Sequence, residues 1–197
     1  MALHMEFAPR RYMSKTILHI AMSLDGYITG PEEDLSWLED VGEPESEQPD
    51  FDEEENPYAW EPFFESVGAI ITGRSTYDWE VSHGYGDVHP VPKFVLTHRP
   101  PYEDASEHVT FTEESIEVVL EKAKNITDKN IWSEGGGIVV QQFIEKDLFD
   151  EMILFVAPVL LGGGIRLFAR SDSYKQFKLR NARNLNGGLM QLEYVKL

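Results

Sequence analysis

Gly73-Arg74-Ser75-Thr76 stands where an apolar run gives way to a helical one. That junction gathers backbone N–H groups, a guanidinium and two hydroxyls at a helix N-terminus, the donor set a phosphate monoester needs. An ordinary surface arginine beside a Ser or Thr helix cap leaves the same pattern, so the junction is ambiguous by itself. Glu134-Gly135-Gly136-Gly137, followed by Ile138, repeats the theme after a short apolar run. Its glycines let the backbone approach a pyrophosphate closely. Val140 stands where the six-position dinucleotide fingerprint has its last glycine, and no phosphate-loop lysine follows. A third loop, Thr97-His98-Arg99, adds cations. Two glycine junctions and a basic loop in one acidic chain point to an extended anionic ligand.

Asp25 is the first acid candidate. It follows the first apolar run, where ligands of open α/β sheets bind, although Asp25-Gly26 is also a frequent turn. The later glycine turn, Leu161 to Gly164, leads to Arg166, and Gly162 and Gly163 either shape a substrate pocket or reverse the chain. The six histidines, His4, His19, His83, His89, His98 and His108, show no metal-ligand spacing, and no serine sits in a nucleophile elbow. No metal is expected, and metal hydrolysis and acyl transfer are disfavoured.

Bulk properties narrow the class. With 17 basic against 35 acidic residues the formal net charge is -18, the wrong sign for a phosphate backbone or an anionic leaflet. Neither nucleic acid nor membrane is an expected partner. Cysteine is absent, which removes disulfides and thiolate metal sites and makes a cytoplasmic location the simplest expectation. The apolar stretch Met152 to Leu161 is interrupted by Pro158 and is about half the length of a spanning helix.

The elements that must position these groups alternate. Lys15 to Met22 reads as a buried strand, Asp34 to Val41 as a short amphipathic turn, and Glu43 to Glu55 as a solvated loop with eight acids and no base. Asn56 and Pro57 predict a helix start whose apolar face is Tyr58, Phe63, Phe64 and Val67, running into a strand over Gly68 to Thr72. Strands follow at Lys93 to Thr97 and Val109 to Phe111, then a helix over Glu113 to Asn125, a strand over Asn130 to Ser133 and a helix over Ile138 to Lys146. After Asp150 only strands are predicted: Glu151 to Val156, Lys175 to Asn184 and Gly188 to Val195, the last two joined by the hairpin signal Asn186-Gly187. The expectation is one α/β domain over 13–197, with residues 1–12 a disordered lead outside it.

Taken in order and spacing, Ser23-Leu24-Asp25-Gly26-Tyr27-Ile28, Gly73-Arg74-Ser75-Thr76-Tyr77, Glu134-Gly135-Gly136-Gly137 and Ala157-Pro158-Val159-Leu160-Leu161-Gly162-Gly163-Gly164 resemble the reductase domain of bacterial riboflavin biosynthesis. The resemblance runs from Lys15 to Leu197. It implies a dihydrofolate reductase-like three-layer α/β fold, with a mixed, mostly parallel central sheet and a C-terminal antiparallel hairpin. It implies NADPH as cofactor, with Gly73, Arg74, Ser75 and Thr76 at its adenosine end and Thr97, His98 and Arg99 in a second adenosine-side loop. Glu134, Gly135, Gly136, Gly137 and Ile138 would line the pyrophosphate and nicotinamide. Asp25 would orient substrate or handle a proton, and Tyr58, Trp60, Gly162 and Gly163 would face a flat substrate. Asp34, in Asp34-Leu35-Ser36-Trp37, resembles the catalytic acid of true dihydrofolate reductases but lies too far before Gly73 for that role. No part of the match covers the deaminase of the bifunctional enzyme, so a stand-alone NADPH-dependent reductase of a small heterocyclic or carbonyl substrate is expected. The alternatives are a ribosylaminopyrimidine-phosphate reductase, which needs a phosphate site near Gly162 to Arg166, and a binding protein that keeps NADPH without turnover. Relatives of this fold commonly pair, and a homodimer is expected.

Overall fold

The computed structural model describes residues 14–38, 41, 56–86, 88–168 and 174–197. The lead 1–12 and the acidic segment 43–55 lie outside the described residues.

The core is an eight-stranded sheet. Its strands are β1 (Thr16–Ser23), β2 (Val67–Gly73), β3 (Lys93–Leu96), β4 (Val109–Thr112), β5 (Asn130–Gly135), β6 (Glu151–Ala157), β7 (Phe177–Asn184) and β8 (Met190–Lys196). In space the order is β4-β3-β2-β5-β1-β6-β8-β7. From β4 to β6 every pairing is parallel, whereas β6–β8 and β7–β8 are antiparallel. The helices are α1 (Trp60–Ser66), α2 (Arg74–Ser82), α3 (Ile116–Ile126) and α4 (Gly137–Glu145).

Strand alternation divides the core into two faces. Leu18, Ile71, Ile131 and Leu154 pack with Val119 and Leu120 of α3 and Val140 and Phe143 of α4. Their neighbours Ile17, Ile70, Trp132 and Ile153 point the other way, onto Phe63 of α1. Lys93 is the register partner of Ile70 and so belongs to this second face, where it meets Glu80 of α2. The result is three layers around a mixed, mostly parallel sheet.

Several boundaries differ from the sequence reading, and four of them bear on the cleft or the final hairpin. Asn56 starts no helix: its Oδ1 accepts the Tyr58 N–H and its amide pairs with Gln191, so α1 begins only at Trp60. Tyr58 therefore precedes the helix. Glu134 and Gly135 extend β5, leaving Gly136, at φ 79, as the turn and Gly137 as the first residue of α4. The helix predicted from Glu113 begins at Ile116, because Glu113, Glu114 and the cap Ser115 still connect it to β4. The last hairpin forms, but Gly187, at φ 70, sits in a short 3₁₀ turn, Asn186–Gly188.

Candidate active site

A cleft of about 1340 Å³ opens across the C-terminal ends of β1, β2, β3 and β5. At one end two strand-helix junctions converge. Gly73 caps α2 and Gly136 caps α4, each helix spanning nine residues, so the orphan N–H groups of both first turns open toward the cleft. The junctions are too close for side chains. A Cβ on Gly136 would meet Thr76 Oγ1 at 3.1 Å, one on Gly137 would meet the Arg166 carbonyl at 2.7 Å, and one on Gly73 would meet Val139 at 3.1 Å. Bare backbone, two helix N-termini and the Ser75 and Thr76 hydroxyls fit the pyrophosphate of a dinucleotide.

Thr97 and His98 flank this end of the cleft, as do Arg74 and Ile138. Arg99 lies outside it, lining an adjoining hollow of about 660 Å³ over the loop that follows β3. Its guanidinium pairs with Asp78 at 2.8 Å. Arg74 is similarly engaged: Nε donates to Asp78 at 2.6 Å, Nη1 donates to the Pro100 carbonyl at 2.6 Å, and the guanidinium lies 4.4 Å from the centre of the Tyr102 ring. This arginine clamps the loop of Thr97 to Tyr102 onto α2.

The opposite end is aromatic. His19, Tyr58, Trp60, Trp79, Trp132 and Phe155 line it. His19 stacks on Phe63 at 3.9 Å and its Nε2–H donates to the Tyr58 carbonyl at 2.9 Å. Burial drops its pKa to about 4, so the ring is neutral at physiological pH. The Tyr58 hydroxyl donates to Glu151 at 2.6 Å and also meets Arg180. Tyr58 and Trp60 thus both line the aromatic end of the cleft.

Between the two ends lies a charged cluster in which the sequence singled out Glu134, as a cofactor-lining residue, but not Glu80 or Lys93. Glu80 of α2 and Glu134 of β5 both line the cleft and both share Lys93 of β3. Lys93 is 1% exposed, and its Nζ lies 2.8 Å from Glu80 Oε2 and 3.2 Å from Glu134 Oε2. One ammonium cannot neutralise two buried carboxylates. Burial, reinforced by the Glu134 charge, pushes Glu80 up to about 8. Burial alone would lower the pKa of Lys93, but the two carboxylates outweigh burial and raise it. The cluster therefore holds an exchangeable proton near neutral pH.

Asp25 is placed differently. Its Oδ1 accepts from Ser23 Oγ at 2.6 Å and from the Leu161 N–H at 3.1 Å, while Oδ2 accepts from the Gly162 N–H at 2.8 Å. The Ser23 hydrogen bond is the main reason its pKa falls to about 2. Asp25, Gly135, Gly162 and Gly163 are not among the residues lining the cleft. The carboxylate instead pins the glycine turn, whose Gly164 packs so tightly that a Cβ there would sit 2.1 Å from the Thr29 carbonyl. Ile165, just beyond, does reach the cleft. Asp34 caps a short turn, accepting from Ser36 N at 3.0 Å and Ser36 Oγ at 2.9 Å. Among the described residues no cluster of His, Asp or Glu could hold a metal ion, and no helix is long and apolar enough to cross a membrane.

The RibD C-terminal domain family matches residues 14–190. The chain belongs to that family. It is 33% identical over 184 residues to YwjB of Bacillus subtilis (strain 168), covering 92% of this chain and 98% of that protein. Among solved structures it is similar to a Shewanella sp. PV-4 protein described as a riboflavin biosynthesis protein, with 28% identity, a TM-score of 0.77 and coverage of 93% of this chain and 99% of that one. It also shares the fold of a Thermotoga maritima diaminohydroxyphosphoribosylaminopyrimidine deaminase/5-amino-6-(5-phosphoribosylamino)uracil reductase, at 16% identity and a TM-score of 0.62, covering 94% of this chain and 57% of that one. RibD C-terminal membership, the dihydrofolate reductase-like fold and the cleft together support a reductase-type function.

Proposed function

We propose that this RibD C-terminal family member is an NADPH-dependent reductase that moves a hydride to a small heterocyclic or carbonyl substrate. The observation that carries the reading is the single cleft in which a glycine-lined double helix terminus adjoins a proton-holding carboxyl cluster and an aromatic wall. Hydride transfer needs all three: a place for the dinucleotide, a proton source and a flat surface for the acceptor. In this reading Gly73, Ser75 and Thr76 meet the adenosine-side phosphates, Thr97 and His98 border them, and Gly136, Gly137 and Ile138 back the pyrophosphate and nicotinamide. Arg74 and Arg99 hold the loop that borders this end, through Asp78. When bound, the cofactor supplies the hydride. The chain's own groups orient the ring, exclude water and hold the proton. Asp25 acts as a positioning residue, fixing the turn that presents Ile165.

A screen of NADPH oxidation against pterins, pyrimidines and quinones tests the reading. Turnover with one of these classes is expected. Dinucleotide binding without turnover of any of them would favour a non-catalytic binding protein, and turnover confined to a ribosylaminopyrimidine phosphate would favour a riboflavin-pathway reductase. The same reading makes the protein a cytoplasmic homodimer, paired along the antiparallel edge formed by β7 and β8, where Leu179 is exposed. Light scattering at micromolar concentration should return twice the chain mass; a single chain mass would rule the pairing out.

A further inference from the structure

The substrate end of the cleft is acidic at its floor and aromatic at its walls. Among the described residues that line the cleft, the cationic types are Arg74, His98 and His19. Arg74 and His98 belong to the dinucleotide end, and Arg74 has Asp78 and Pro100 as partners. His19 is buried, neutral and committed to the Tyr58 carbonyl. A phosphate placed among these aromatic rings would meet Glu80 and Glu134, which already share the one ammonium of Lys93, while Arg180 beside Tyr58 is itself paired with Glu151 and Glu193.

Building on the reductase reading, we propose that the Glu80–Lys93–Glu134 cluster selects an unphosphorylated, flat heterocycle with a basic C=N nitrogen and delivers the proton to that nitrogen. The geometry supplies each part. Glu80 and Glu134 reach the cleft from different elements, and Lys93 is buried against both, so the pair is fixed rather than swinging on the surface. With both carboxyls ionised, Glu134 Oε2 has no hydrogen-bond donor, although Lys93 Nζ is 3.2 Å away; a proton lodged between the two carboxyls supplies one. Trp132, one strand position pair from Glu134 on the same face, and Trp60 above it give the ring its stacking surfaces.

The step balances. The O–H bond of the carboxyl pair breaks and an N–H bond forms, turning C=N into C=N–H⁺ and leaving both carboxylates charged beside the new cation. The carbon then accepts a hydride from the reduced nicotinamide dinucleotide, a C–H bond forms, and the π pair becomes the nitrogen lone pair of the amine product. Solvent returns the proton to the carboxyl pair. The charged and titratable groups facing the pair are Lys93 from β3, His89 from the loop before β3, and the Tyr77 ring of α2, 6.0 Å from Lys93 Nζ. His89 is held neutral by burial. Glu80 is thus the group in this set that changes charge near pH 8.

The test uses 3,4-dihydroisoquinoline, a flat cyclic imine, titrated into the full chain by quenching of tryptophan emission; Trp60, Trp79 and Trp132 line the cleft. The imine should bind at least tenfold more tightly than 1,2-dihydronaphthalene, its isostere without nitrogen, and uridine 5′-monophosphate should bind more weakly still. Glu80→Gln and Glu134→Gln should each weaken imine binding about tenfold, and for Glu80→Gln the NADPH affinity, measured on the same samples, should stay put. With NADPH bound, the single-turnover rate of imine reduction should fall as pH rises through about 8, and Glu80→Gln should flatten that fall. Equal binding of imine and isostere, or tighter binding of the phosphorylated pyrimidine, overturns the inference without variants and without cofactor. Failure of both NADPH and NADH to bind would overturn the reductase reading, and the hydride step with it.

Discussion

Two carboxyl groups near the cleft behave in opposite ways. Asp25 sits at the rim, receives three hydrogen bonds and has its pKa drawn down to about 2. Glu80 sits in the floor, shares one lysine with a second carboxyl and is driven up to about 8. Both lie in or beside the same cleft, yet only the second can carry a proton at neutral pH. Donors saturate the first and desolvation governs the second. A carboxylate at the end of a first strand is therefore not automatically the acid of a reductase; the surroundings decide.

The strongest way to break this contrast is to remove the lysine. Lys93→Met leaves two buried carboxyls without a cation, and the expected loss is about 3–5 kcal/mol of stability at pH 8, read by urea denaturation. The loss should shrink at pH 5, where Glu80 is protonated. A variant as stable as the parent at pH 8 would mean that the cluster is solvated.

Turnover should come next. Glu80→Gln is expected to lower turnover roughly 10²-fold, the usual scale for a positioned proton-transfer group, whereas Asp25→Asn should lower it less than about tenfold. Steady-state kinetics on the best substrate from the screen checks both. Reversed sensitivities would return the acid role to Asp25.

A smaller effect concerns the dinucleotide end. Because Arg74 is bound to Asp78 and Pro100, Arg74→Ala should loosen the loop from Thr97 to Tyr102 and weaken NADPH and NADH alike, by about tenfold or about 1.4 kcal/mol. Fluorescence titration at fixed salt measures both. A loss confined to NADPH would show that the guanidinium leaves Asp78 for the 2′-phosphate.

The smallest effect is on acid stability. The folded pKa of Asp25 lies below its ordinary 3.8, so its contribution is complete above that value and disappears as pH falls toward about 2. Asp25→Asn should flatten the acid-unfolding profile between roughly pH 4 and 2 and leave stability at pH 7 to 8 with the same pH slope. An unchanged acid limb would mean that the three donors add nothing to folding.

The sequence made the scaffold legible because its signals are local. Glycines at 73 and 136, apolar runs of strand length and the period of Ile116, Val119, Leu120 and Ala123 each report on neighbours a few residues away. The two glycine junctions at one end of the cleft follow from those signals. The proton site does not. Glu80 reads as one more acid on a helix, and Lys93 as the polar first residue of a strand; their meeting depends on β2, β3 and β5 lying side by side. Asp25 misleads for the same reason: the N–H groups of Leu161 and Gly162 that occupy it are 136 and 137 residues away. The delayed start of α1 is equally non-local, since Gln191 captures Asn56 across the fold.

That capture has a consequence for how the protein tolerates change. Asn56 and Gln191 exchange two amide hydrogen bonds, of 2.8 and 3.2 Å, in a buried position, and two residues later the Tyr58 hydroxyl is fastened to Glu151. These fastenings come immediately before the aromatic wall and immediately after the acidic stretch 43–55. They insulate one from the other, so a change of length or charge within 43–55 is expected to leave the rings that line the cleft in place.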